Sequence, residues 1–429
     1  MEFNRTELMP GVFLSHLRSD KFKTACMSVT LLTQLRRETA AMNAVIPFVL
    51  RRGTTRYSDM EQLSRRMDEL YGAAVEPVVR RIGEIQCIGF YGSFPEPDYL
   101  PGGEALLGDT CALMAQLLLD PVTRGGLLLP QYVDSEREKL LDIIRSRMND
   151  KRSYALTRCI EEMCCYEDFA VSRFGSESEA ENIHYKKLTR HYRELIQTCP
   201  VEIFYCGKTD FKAVSAAMRD AFSAMPRGEI DYDIGTDLRM NAVEDHVRFV
   251  EEEMDVTQGK LVLGFRLGEC MEEPDIPALY VFNAVYGSGA TSKLFMNVRE
   301  KLSLCYYASS AVYLHKGIML VSSGIEFDKL DAARDEILAQ LDITDDELRS
   351  AKKSVASDLR AVQDSIGELE GFYLSQALDG LDYGPAELAA LAEDVTKEDV
   401  QAIAESIECD LIYFLKGSGE EDGSDDETA

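Results

Sequence analysis

The period of the apolar pattern switches repeatedly along the chain, and each switch marks an element. Runs rich in Val, Thr, Leu and Ile at residues 26–32, 74–79, 84–91, 201–205, 260–267, 305–313, 318–325 and 411–415 read as strands. Between them, apolar residues three and four apart predict helices over 39–50, 59–70, 104–119, 134–162, 188–197, 211–225, 276–286, 292–301, 328–341, 345–376 and 397–405. The helix opening at Asp134 has a capping-box pattern, Ser135-x-x-Glu138, and a stripe of Leu140, Ile143, Ile144 and Met148. Residues 226–237 are rich in Gly, Asp and Pro without periodicity and read as a linker. Beyond it the order recurs, and the closing strands VEIFYCGK and CDLIYFLKG are alike as written. A duplication follows: an α+β fold of α/β layers with two homologous domains, each an antiparallel-rich sheet packed against helices. The expected division is 1–226, a linker 227–240, 241–417, and an acidic disordered tail 418–429.

Composition narrows the function. The chain has 429 residues, 45 % of them hydrophobic, enough for two cores. Lys and Arg number 46 against 75 Asp and Glu, a formal charge of −29. That balance argues against nucleic acid, which needs clustered bases to displace counterions from phosphate, and against an anionic membrane. Six acids (Glu420, Glu421, Asp422, Asp425, Asp426, Glu427) crowd the C-terminal end. The opening segment lacks the basic and apolar regions of a secretory signal. Eleven cysteines without a Cys-x-x-Cys pair read as free thiols, so a cytoplasmic location is expected.

The search for chemistry first returns exclusions. The five histidines, His16, His184, His191, His246 and His315, allow no His-Glu-x-x-His and no inverse of it. His184 and His191 read as surface residues of one charged helix. No Gly-x-Ser-x-Gly elbow is present, and Gly287 to Ser292 lacks a Walker ending, so it reads as a glycine helix stop followed by a Ser/Thr cap.

Two segments carry a resemblance. Arg52-Gly53-Thr54 followed by SDMEQLSRRMDELYGA, and YGSGATSKLFMNVREKLSLCYYASS in the second half, resemble insulinase/pitrilysin-type zinc peptidases, the processing-peptidase branch in particular. In that family a His-x-x-Glu-His helix runs into a Lys-Gly-Thr-like turn, and chains of about this size pair into a clamshell, one carrying the zinc motif and the other not. Aligned on Gly53-Thr54, the motif falls on Ala44-Val45-Ile46-Pro47-Phe48. Ala44, Pro47 and Phe48 can neither bind zinc nor move a proton, and Pro47 is expected to break or distort its helix. The family's distal zinc-ligand glutamate falls on Glu136, a vestige whose alternative reading is an acid placed in a first helical turn. The resemblance also places the family's peptide-binding arginine and tyrosine on Arg299 and Tyr306, seven residues apart.

The resemblance therefore implies a chain inactive alone, with no metal or cofactor of its own. It would pair as a heterodimer with a motif-bearing paralogue that carries zinc, and bind peptide substrate. The alternative is a catalytically dead scaffold or peptide-binding protein, with an association with protein modification as one form of it; a hydrolase with an unrecognised site is a third.

Overall fold

The computed structural model describes residues 2–417, so the expectation for the acidic segment 418–429 lies outside them. Two compact units emerge, and neither is a continuous stretch. Unit 1 holds the chain up to Ser146, Glu167–Asp237 and Asp358–Glu387; unit 2 holds Arg147–Tyr166, Leu238–Ser357 and the chain from Leu388 onward. Each half of the sequence thus lends one segment to the other half's unit, which a single cut at the linker would miss.

The sheet of unit 1 has six strands: β1 (Glu2–Met9), β2 (Val12–Arg18), β3 (Thr24–Gln34), β4 (Ala74–Ile82), β5 (Ile85–Pro95) and β8 (Val201–Gly207), in the order β1-β2-β8-β3-β5-β4. A small hairpin, β6 (Thr123–Arg124) with β7 (Leu127–Leu128), stands apart from it. Only the β2–β8 pair is parallel. Both faces of the central strands are covered. Ala25, Met27, Val29 and Leu31 of β3, with Val201, Ile203 and Tyr205 of β8, join the main core beneath the helices. Their alternates Cys26, Phe204 and Cys206 pack against Leu369 and Tyr373 of the helix Ile366–Asp379. That double burial is why these strands read as near-continuous apolar runs.

Unit 2 has β9 (Arg248–Met254), β10 (Gly259–Arg266), β11 (Cys305–Tyr313), β12 (Ile318–Ile325) and β13 (Glu408–Gly417), in the order β11-β12-β10-β13-β9. Only β9–β13 is parallel. Read from the other edge, this is the order and sense of β2-β8-β3-β5-β4, so the duplication is explicit in topology. The helix Lys151–Met163 lies on β10 and β13, as Ile366–Asp379 lies on β8 and β3. It approaches β10 closely at Gly264, where a Cβ would stand 2.5 Å from the Met163 sulfur. Its C-terminal carbonyls are capped by arginines: Arg248 donates to Glu162 O and Met163 O, and Arg266 to Met163 O. Both guanidiniums are neutralised by the fully buried Asp410, at 2.7 and 3.0 Å.

Several expectations shift. The helix expected from Asp134 begins at Pro130, and its buried stripe is Val133, Glu136, Leu140 and Leu141, leaving Ile143 and Met148 exposed. The single helix expected over 345–376 is two, because a 3-10 turn at Val362–Asp364 intervenes and Ser365 starts a new helix by accepting from Glu368 N–H. Asp150 restarts the helix after Ser146 in the same way, accepting from the N–H groups of Arg152 and Ser153. Among the described residues no helix is long and apolar enough to cross a membrane.

Candidate functional site

The degenerate motif lies on the helix Arg37–Leu50, which runs unbroken with Pro47 inside it. The expected break does not occur. A proline there removes one helical hydrogen bond and costs about 3 kcal/mol or more, yet burial of Ala44, Val45, Ile46, Val49 and Leu50 in the main core holds the helix in place. Ala44 and Pro47 are buried, and Phe48 is half-buried.

One residue before Ala44, a buried amide organises its surroundings. Asn43 donates through Nδ2 to Gln86 Oε1 at 2.9 Å, and its Oδ1 meets His191 Nε2 at 2.6 Å. Gln86 in turn donates to Ala40 O and Arg173 O. The bond to Oδ1 makes Nε2 the protonated nitrogen of His191. His191 is thus half-buried rather than a fully exposed surface residue: partial burial holds its imidazole below the usual histidine range, against the pull of Glu194. His184 is exposed and caps its helix through Nδ1.

Glu136 sits in the second turn of its helix, not the first, and its side chain is only 4 % exposed. Two cations already hold it: Lys139 donates to Oε1 at 2.8 Å, and Arg52 approaches the same oxygen at 3.3 Å. Arg52 also lies 5.0 Å over the Tyr132 ring. Zinc does not fit these residues. Of its three side-chain ligand positions, Ala44 and Phe48 offer no lone pair and Glu136 is neutralised by a guanidinium and an ammonium, while Pro47 stands where the base would be. Among the described residues, no group of three His, Cys, Asp or Glu could share a metal ion.

Arg299 and Tyr306 belong to unit 2. Residues 287–292 form the expected stop and cap, with Gly287 ending one helix and the Ser292 hydroxyl accepting from Phe295 N–H. The next segment, Leu294–Lys301, is a π-helix, a conformation that recurs at functional sites. Its last turn closes through Leu302 N–H to Asn297 O, and Ser303 then reverses the chain at φ 51°. Tyr306 follows at the start of β11, at a register shift between Cys305 and Tyr307. The extra residue leaves the ladder, and the bulge turns its side chain outward; Tyr306 is 56 % exposed.

Both side chains line one depression of about 360 Å³. The Arg299 guanidinium lies 4.6 Å over Phe295 and 3.6 Å from Glu300. The Tyr306 hydroxyl donates to Glu326 Oε1 at 3.3 Å, and Lys329 bridges Glu326 at 2.9 Å. Lys329, and to a lesser degree Tyr306, hold the Glu326 carboxyl below the usual range. Sequence reasoning had passed over Glu326 and Lys329. The hairpin β11–β12 sets Glu326 beside Tyr306, a placement readable only once the bulge is known.

A model of the peptidase M16 inactive domain matches residues 182–355. Over 424 residues the chain is 31 % identical to the probable inactive metalloprotease YmfF of Bacillus subtilis, covering 97 % of this chain and 98 % of that protein. Among solved structures, a conserved protein from Enterococcus faecalis V583 matches with a TM-score of 0.87 at 24 % identity, covering 98 % of this chain and 100 % of the other. A protease from Helicobacter pylori matches with a TM-score of 0.79 at 15 % identity, over 97 % and 99 %. These two likenesses concern the fold.

Proposed function

This chain belongs to the M16 peptidase family as an inactive homologue, and from that premise we propose that it is the non-catalytic half of a heterodimeric zinc peptidase. The observation that carries the reading is the unequal fate of two residue sets. The positions that would bind metal are filled by Ala44 and Phe48 and that of the base by Pro47, with Glu136 closed by Arg52 and Lys139. Arg299 and Tyr306, in contrast, stay accessible on a shared depression. The Arg299 guanidinium is a donor-only fork, and the Tyr306 hydroxyl can turn its one O–H from Glu326 to another acceptor; peptide carbonyls are acceptors. In this reading Arg299 and Tyr306 hold an extended peptide and face its carbonyl oxygen as charge develops there. Zinc, the general base and the attacking water come from a paralogue bearing His-x-x-Glu-His.

Alone, the chain is then expected to bind no stoichiometric zinc and to cleave no peptide. Purified with the motif-bearing paralogue, it should raise peptidase activity well above that of the paralogue by itself. Stoichiometric zinc and cleavage by the isolated chain would overturn the proposal. A paralogue equally active with and without this chain would favour a peptide-binding scaffold instead.

A further inference from the structure

Unit 2 carries a second depression, about 620 Å³, between the start of the helix Lys151–Met163 and the loop from β9 into β10. In a chain of formal charge −29 it gathers three cations, Lys151, Arg152 and Lys260. A glycine sets the platform for two of them. Gly324 of β12 pairs with Tyr307 on one side and with Lys260 on the other. A Cβ at Gly324 would stand 2.4 Å from the Tyr307 ring, so only glycine lets that ring lie across β12 toward Lys260. The Arg152 guanidinium lies 4.2 Å from the ring centre and the Lys260 ammonium 5.9 Å from it, so both cations share one aromatic ring. Their hydrogen bonds run to neutral groups: Arg152 donates to Ser309 Oγ, Lys260 to Gln258 Oε1, and Lys151 reaches the Met254 sulfur. Lys260 feels the crowding, held below the usual lysine range first by burial and then by Arg152, with Asp150 opposing. Like charges held this close are relieved by an anion between them.

The placement of donors decides which anion. A compact phosphate is best held by converging backbone N–H groups, as at a helix start. Here Asp150 already takes them, accepting from Arg152 N–H, Ser153 N–H and the Ser153 hydroxyl. The cations diverge instead of converging. Lys151 leans toward Met254 of β9 and Arg152 toward Ser309 of β11, and these strands are the two edges of the sheet. Asp150 and Asp255 on the rim repel a dianion more than they repel single, spaced carboxylates. Asn149 adds an amide able to bond a peptide backbone. We propose that this depression binds an extended peptide segment rich in Asp and Glu, with carboxylates on Arg152 and Lys260 and a further one on Lys151. The net negative charge of the chain does not forbid it. At physiological ionic strength charges are screened beyond about 8 Å, so the nearest side chains decide. The inference rests on the charges and geometry of unit 2 and stands whether or not Arg299 and Tyr306 hold peptide.

Fluorescence anisotropy with the full-length chain tests it, using a labelled peptide that alternates glutamate with glycine and a counterpart with glutamine in place of glutamate. The glutamate peptide should bind at least about tenfold more tightly than the glutamine one, and the difference should shrink as salt is raised. Arg152→Gln together with Lys260→Gln should cost about tenfold or more in affinity for the glutamate peptide, the scale of a lost hydrogen bond to a charged group. Should that double variant fail to fold by circular dichroism, Arg152→Gln alone, at an exposed position, decides. Inorganic phosphate should displace the peptide no better than sodium chloride of equal ionic strength. Equal affinity for the two peptides, or binding indifferent to the Arg152 and Lys260 changes, would overturn the site. Displacement by phosphate where chloride fails would overturn the peptide as its occupant.

Discussion

His191 is the residue whose environment most directly ties stability to pH. Half-buried at the edge of unit 1's core, it donates through Nε2–H to the buried Asn43, and burial, helped by Lys187 and Arg190, holds it below its ordinary value. The unfolded chain, with a histidine of pKa about 6.5, therefore takes up the proton first as pH falls. The contribution of this group is complete above about pH 6.5 and is lost as pH drops through that value toward the lower folded one. The urea midpoint of the wild-type chain should accordingly fall on acidification from about pH 7.5 to about 5.5. His191→Gln, which keeps a donor for Asn43 but does not titrate, should lose less over the same interval. Identical pH slopes for the two would contradict a neutral, half-buried His191. At the same scale, Glu136 shows how a lone carboxylate persists without a metal: two cations on one oxygen satisfy its charge.

Among the elements, the two helices lent between halves of the sequence do the most to shape the units. Tyr373 on Ile366–Asp379 stacks on Phe3 at 4.3 Å and on Phe204 at 6.1 Å, while the buried Glu370 pairs with Arg80 at 2.5 Å. Tyr373→Ala should destabilise the chain by about 3–5 kcal/mol, the range for an aromatic lost from a core. Hydrogen exchange should quicken first in β3 and β8, more than 160 residues away in sequence, with β10 less affected; faster exchange confined to residues 366–379 would contradict this packing. The strands that this helix covers were legible because burial on both faces leaves an apolar run. The edge strands β1 and β9 were not. Their exposed positions are mostly charged, Glu2, Arg5 and Glu7 in β1 and Glu251 and Glu253 beside Phe249 in β9, the charge that keeps an edge from pairing with another chain. The break at Val362–Asp364 was hidden because no Gly or Pro marks it, only the cap at Ser365. Pro47 misled in the opposite direction, since local propensity yields to a core packed around the whole helix. The positions of Arg299 and Tyr306 at a helix end and a strand start were readable from sequence. The π-helix and the bulge that present them were not, for both depend on hydrogen bonds between residues that spacing alone does not pair.

Across the whole molecule, duplication of one strand order has left two units with different prospects. In the proposed reading, unit 1 presents a helix whose motif positions hold apolar side chains, and its remaining acid, Glu136, is closed by Arg52 and Lys139. Unit 2 keeps an accessible arginine and tyrosine on one depression, held up by a bulge and a π-helix. A chain selected only to fold would gain nothing from two such exposed, polar-tipped side chains, and a chain that positions peptide would. The most direct measurement is kcat/KM for peptide cleavage by the complex of this chain with a His-x-x-Glu-His-bearing paralogue, comparing wild type with Arg299→Ala in this chain alone. The account predicts a loss on the order of 100-fold, the scale seen when one donor to a developing oxyanion is removed, with the amount of complex unchanged. An intact complex whose kcat/KM is indifferent to Arg299→Ala would contradict it.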